Sequence, residues 1–207
     1  MTDYRRIAAE GTPTGWFETL YAEAGAGRAE VPWDVPEASV QLRDFPLPAG
    51  AGRRALVVGC GNGRDAEYVA AAGYATTAFD IAPTAIELAR SRHPDSAVHY
   101  TVADLLDPPP AWRHAFDLVL ESNNVQALPA RIRARAIGTV GTFVAPGGTL
   151  LVLAAAAVAQ PGDGPPWPLT REEVDAFAVD GLRAVSVEHV ASPQTTFPGR
   201  WRAVFTR

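Results

Sequence analysis

Short apolar runs alternate along this chain with segments whose apolar residues recur at helical spacing. The alternation becomes regular at Ala55-Leu56-Val57-Val58, a run that stops at glycine, as a buried strand does. Beyond it the pattern predicts helices over 65–72 and 83–91, strands over 75–79, 98–103 and 116–121, and a helix over 129–143. In the last of these, Ile132, Ala136, Val140 and Phe143 form one apolar stripe. Arg131, Arg133 and Arg135 fall largely elsewhere and read as a solvated face. A turn at Ala145-Pro146-Gly147-Gly148 then leads into a buried strand over 149–156.

The flanks are less regular. Trp16, Phe17, Leu20 and Tyr21 share a helical face over 15–24, and glycine and proline break up 26–36. After a proline-rich loop over 161–168, Thr170 and Glu173 have capping-box spacing. Two alternating segments, 183–190 and 200–205, are separated by turn residues that include Pro193 and Pro198, and predict a hairpin on the sheet edge. Strand–helix alternation implies an α/β fold on a parallel sheet. With 207 residues, one structural domain is expected. Residues 1–48 form its N-terminal helix and lid segment, and 49–207 its ligand-binding body.

Composition narrows the partners. A net charge of −5 offers no basic surface for nucleic acid, so a small substrate is expected. The single cysteine, Cys60, excludes an internal disulfide and suits a cytoplasmic, reducing setting. No signal-peptide pattern follows Met1, and the longest apolar run is about half of the roughly 20 residues a membrane span needs. His93, His99, His114 and His189 are scattered without a carboxylate cluster, so no metal is expected.

The chemistry-bearing signal is Gly59-Cys60-Gly61-Asn62-Gly63, a glycine turn between a strand and a helix. Glycine admits positive φ and close backbone approach to a ligand, although such turns also serve purely structural ends. Asp80 ends the next strand, where a carboxylate accepts from ribose hydroxyls or caps the helix that follows. Asp104 ends the third, facing a ligand or starting a turn. Arg64 and Asp65 read as salt-bridge and cap residues of the first helix.

Through VVGCGNGRD, FDI, VADLL, FDLVLES and APGGTLL, in that order, the chain resembles class I S-adenosylmethionine-dependent methyltransferases. The resemblance implies a Rossmann-like, seven-stranded, mostly parallel sheet with an antiparallel terminal strand and helices on both faces. It also implies S-adenosylmethionine as cofactor. Gly59, Cys60, Gly61 and Gly63 would line its amino acid part, Asp80 with Ile81 its ribose, and Asp104 with Leu105 its adenine. Val31-Pro32-Trp33-Asp34 is similar to a lid element of the thiopurine and halide or thiol methyltransferases, with Trp33 closing over the cofactor and Asp34 fixing the loop. Val35-Pro36 departs from the PWDxG form of that element and leaves the lid's shape open. No DPPY or NPPY motif follows the fourth strand, which argues against amino methylation of nucleic acid or protein amides.

The polar run Glu121-Ser122-Asn123-Asn124-Val125-Gln126 follows that fourth strand and is the acceptor-side candidate. Glu121, also counted on the cofactor side, and Asn123 are the catalytic candidates; desolvation would make Glu121 a base. Asn123 and Gln126 would bind the acceptor's polar groups, with Tyr21, Trp33 and Trp167 as walls. The expected activity is methyl transfer to a small molecule at sulfur, nitrogen, oxygen or halide, by a monomer or homodimer. Cyclisation or another alkyl transfer with the same cofactor, and a non-catalytic sensor, stay open.

Overall fold

The four-residue apolar run becomes β1 (Arg54–Val58), the centre of the sheet. Its side chains alternate between two cores. Leu56 and Val58 join Phe79, Phe143 and Phe205 on one face, while Ala55 and Val57 join Val69, Ile86 and Leu120 on the other. Burial on both faces is why the run is continuously apolar rather than alternating.

The computed structural model describes residues 3–157, 164–191, 197 and 199–207. After β1 come α4 (Arg64–Ala71), β2 (Ala75–Asp80), α5 (Pro83–Arg92), β3 (His99–Val102), β4 (Phe116–Ser122), α6 (Ala130–Thr142), β5 (Val144–Ala155), α7 (Arg171–Asp175), β6 (Arg183–Ala191) and β7 (Gly199–Thr206). Ahead of it lie α1 (Tyr4–Glu10), α2 (Trp16–Gly25) and α3 (Val40–Arg43). The seven strands run in the order β3-β2-β1-β4-β5-β7-β6, with β7 antiparallel to both neighbours. The order reverses between β1 and β4, so a crevice opens at the carboxyl ends of those strands.

The N-terminal segment carries a small core of its own. Ile7, Trp16, Leu20 and Ala29 pack together with Phe17 and Trp33 against them. Polar bonds fasten α2 to α5, where Glu18 accepts from the Thr84 N–H at 3.0 Å and from its hydroxyl at 2.6 Å.

Several sequence expectations need correction. The helices α1 and α3 were not anticipated; each is one or two turns long and held by a side-chain cap, Asp3 on Arg5 N and Ser39 on Leu42 N. The predicted turn at 145–148 lies inside β5, where the pairing with β4 shifts register and Gly147 takes φ +77°. Arg133 is not on a solvated face. It is 7% exposed, donates to the Leu128 and Trp167 carbonyls at 2.8 and 2.9 Å, and pairs with Glu173 at 2.7 Å. Trp167 and Glu173 come from a segment distant in sequence, so helical periodicity carries no sign of them. The Thr170–Glu173 capping box is present. Positions 161–163 of the proline-rich loop, and Pro193 and Pro198, lie outside the described residues. Among the described residues no helix is long and apolar enough to cross a membrane.

Arg133 thus joins α6 to the chain ahead of α7. Arg133→Ala is expected to lower unfolding free energy by about 2–4 kcal/mol in urea titrations, because it strips the Leu128 and Trp167 carbonyls and one oxygen of Glu173 of their donor. Arg131→Ala, on the exposed side of the same helix, is expected to stay within about 0.5 kcal/mol of the parent.

Candidate active site

The turn from β1 to α4 is built on backbone conformations that suit glycine. Gly59, Gly61 and Gly63 have φ of +56°, +53° and +91°. Space restricts all three, Gly61 by the Tyr21 hydroxyl. A Cβ on Gly59 would overlap the Asn124 amide, and one on Gly63 the Tyr100 hydroxyl. The Asn124 amide is itself held, with Nδ2 donating to the carbonyls of Val58 and Ser122 at 2.6 and 3.1 Å.

Two buried carboxylates flank this turn. Asp80, at the end of β2, accepts from Gly61 N at 2.9 Å and from Ala82 N at 3.0 Å. Burial pushes its carboxyl above the ordinary range, and those backbone donors oppose the rise. It does not cap α5, whose N-cap is Ala82. Glu121, at the end of β4, is 0% exposed; its Oε1 accepts from Asn124 N and Val125 N at 2.7 and 2.9 Å. Its Oε2 is buried without a partner among the described residues, and burial raises the carboxyl to about 7.

Two adjoining cavities lie over the turn and share Gly59, Asp80, Phe17 and Asn124 in their walls. The smaller is an apolar slot between Phe79, Ile81, Leu105 and Leu106, with Asp104 at its edge. Asp104 Oδ1 accepts from Leu106 N at 2.8 Å, so this aspartate does start a turn. The larger has a volume of about 350 Å³, within the range of small-molecule sites. Cys60 and Gly61 form part of its floor, and burial pushes the Cys60 thiol up, which keeps it protonated. Trp16, Tyr21 and Trp33 wall one side; Asn123, Gln126 and Arg200 stand on another.

The cover over the larger cavity is pinned by polar contacts. The Trp33 indole N–H donates to the Tyr21 hydroxyl at 2.9 Å. Asp34 accepts from Asn62 Nδ2 at 2.6 Å and pairs with Arg92, with Nη2 to Oδ2 at 2.7 Å. Arg92 and Asn62 hold the Asp34 carboxyl below the usual range. Asp34 therefore fastens the cover both to the glycine turn and to α5. Asn62 was not picked out in the sequence, where a residue flanked by glycines looks like a spacer.

Other expected residues land in different roles. Asp65 is no cap, since Gly63 holds that position; its Oδ1 accepts from Ser39 N at 2.8 Å, with Arg64 Nε at 3.7 Å. Gln126 reaches the cavity wall but its Oε1 accepts from Ala155 N at 2.6 Å, tying the loop after β4 to β5. Trp167 is absent from the described walls. Its N–H donates to the Gln126 carbonyl at 2.7 Å and Arg133 lies 5.8 Å from the centre of its ring, so it anchors a loop. Glu121 is likewise absent from both cavity walls and sits beneath the loop that forms them. Arg5, Arg64 and Arg200 line the larger cavity and were not anticipated there. The described residues hold no cluster of three or more metal-ligating side chains.

Comparison with known proteins gives this geometry a family. Residues 55–148 match the family model described as a methyltransferase domain. "Probable thiol methyltransferase 2" of Arabidopsis thaliana is 26% identical over 211 residues, covering 96% of this chain and 89% of that protein. The solved structure described as "Conversion of a Disulfide Bond into a Thioacetal Group during Echinomycin Biosynthesis" aligns at a TM-score of 0.70 and 25% identity, over 92% of this chain and 93% of that one. The N-methyltransferase NodS from Bradyrhizobium japonicum WM9, solved with S-adenosyl-l-homocysteine, shares the fold at a TM-score of 0.69 and 21% identity, over 91% and 97%. The methyltransferase domain matched at residues 55–148, the relative aligned over most of both chains and the β3-β2-β1-β4-β5-β7-β6 sheet make this chain similar to the class I S-adenosylmethionine-dependent methyltransferases.

Proposed function

We propose that this enzyme methylates a small-molecule acceptor held in the larger cavity, with S-adenosylmethionine lying along the glycine turn into the apolar slot. The observation that carries the reading is the junction of the two cavities at Gly59 and Asp80. Bound S-adenosylmethionine supplies an electrophilic methyl group on a positively charged sulfur. Asp80 keeps a free lone pair on each carboxylate oxygen for ribose hydroxyls, since Gly61 N and Ala82 N take one apiece. Ile81 and Leu105 would flank the adenine, and the second oxygen of Asp104 would be available to its amino group. Gly59, Cys60, Gly61 and Gly63 receive the amino acid part.

Trp33 and Tyr21 exclude water from the acceptor end, which sharpens alignment and strengthens local electrostatics. Asn123, with φ +66° and its Oδ1 accepting from Arg200 Nη2 at 2.8 Å, orients the acceptor. Glu121 is a positioning residue: it fixes the backbone on either side of Asn124, whose amide backs Gly59. The carboxylates lining the larger cavity, Asp65 and Asp80, are held by backbone N–H groups. That arrangement favours an acceptor that arrives already deprotonated, and the likeness to a thiol methyltransferase makes a thiol the first to test. The single buried Cys60 suits a reducing compartment, and the cytoplasm is the proposed location.

Calorimetric titration with S-adenosylhomocysteine is expected to show one site per chain, weakened about tenfold or more in Asp80→Asn. Mass spectrometry of the turnover mixture should show an acceptor heavier by one methyl group; methylthioadenosine instead would overturn the reading. A separate expectation concerns Glu121. Its folded-state pKa is raised to about 7 from an ordinary 4.5, so the folded protein binds the extra proton between those values. Stability therefore falls as pH rises through that window, by about 3 kcal/mol in full. Denaturant midpoints at pH 5 and pH 8 should differ in that direction, and Glu121→Gln should flatten the dependence.

A further inference from the structure

Charge in the larger cavity is unevenly placed. Arg200 reaches it from β7 and Arg64 from the start of α4. Arg200 forms no ion pair among the described residues; its Nη2 donates to the neutral amide of Asn123, and its Nε is buried without a partner. Arg64, its side chain 18% exposed, has Asp65 at 3.7 Å, a carboxylate shared with Ser39 N, and feels the more distant charge of Asp34, which is itself paired with Arg92. The two guanidinium groups feel one another: burial and the neighbouring Arg64 charge both pull the Arg200 pKa down. Arg5 adds a third cation to the lining of the same cavity. Burying like charges side by side is costly unless an anion compensates them. Asp80, the other acid on this cavity, is committed to Gly61 and Ala82.

We propose that Arg200 and Arg64 form an anion subsite for the methyl acceptor, and that the acceptor is a small organic acid whose carboxylate is seated there. The proposal rests on the methyl-transfer reading for the word acceptor; the subsite itself rests on the arginines. A guanidinium fork matches a carboxylate in geometry and charge, and the aromatic wall of Trp16, Tyr21 and Trp33 suits an apolar body on the same molecule.

The test is calorimetry on the full chain with benzoate and its neutral isostere benzamide, with and without saturating S-adenosylhomocysteine. Benzoate should bind at least tenfold more tightly than benzamide. Arg200→Gln should abolish that preference while S-adenosylhomocysteine affinity changes less than threefold. Asn123→Asp, which keeps both arginines and supplies an internal anion to Arg200, should abolish it as well; this second variant guards against misfolding of the first. In turnover, 4-mercaptobenzoate should show a lower KM than 4-mercaptobenzamide, and Arg200→Gln should raise that KM with little change in kcat. Equal binding of benzoate and benzamide overturns the proposal. So does an Arg200→Gln variant that loses S-adenosylhomocysteine as strongly as benzoate, since the arginine would then serve the cofactor's own carboxylate. Failure of S-adenosylhomocysteine to bind the parent protein would sink the methyl-transfer reading, while the benzoate comparison in its absence still decides the subsite.

Discussion

The site depends first on one buried carboxylate. Asp80 stands at the end of β2, beside β1, and takes the Gly61 and Ala82 backbone N–H groups, one on each oxygen. The β1–α4 turn spends three residues at positive φ and needs an external constraint to hold a single shape. Asp80 is that constraint, reinforced by the 2.8 Å bond from Cys60 N to the Phe79 carbonyl. The cost appears in its raised pKa, since a carboxyl in the interior resists ionisation.

Glu121 repeats this logic on the other side. β4 pairs with β1 in register, Val58 opposite Glu121, so the two acids end the strands that flank the glycine turn. Each takes two backbone N–H groups, and between them they fix the floor of the crevice at the point where the strand order reverses. The cover is held differently. Its centre is aromatic, with Trp33 edge-on to Trp16, while its rim is fastened by Asp34 to Asn62 and Arg92. The floor is set by buried bonds and the cover by partly exposed ones, so opening the cover is the less costly motion.

How much of this is legible in the sequence follows from how local each interaction is. The strands of the parallel core, the glycine turn and the slot residues Ile81, Asp104 and Leu105 were readable, because apolar runs and turn chemistry are written in neighbouring residues. Arg133 was misread because three of its bonds go to Leu128, Trp167 and Glu173, and only the first is near it in the chain. Trp167, which could wall the site or anchor a loop, is tied to partners distant in the chain, Gln126 and Arg133. Glu121 was correctly located at the strand end, but pleating decides whether such a side chain enters the crevice or the layer beneath, and the run alone does not fix that. Arg200 belongs to a hairpin arm whose alternation said only that it lay on a sheet face.

Net charge was informative about bulk and silent about the cavity. A total of −5 argues against a polyanionic partner over the whole surface. Inside the crevice the sign changes along its length. The slot carries Asp80 and Asp104, suited to hydroxyl and amino donors, while the larger cavity carries Arg64, Arg200 and Arg5. A sulfonium lying between these ends would add a further positive charge next to the arginines. An acceptor that brings negative charge relieves both, and it is drawn to the end of the cavity where the methyl group must leave. With the cofactor's own carboxylate turned elsewhere, a neutral acceptor would leave the arginines and the sulfonium repelling one another in a partly dehydrated space, where such repulsion is least screened.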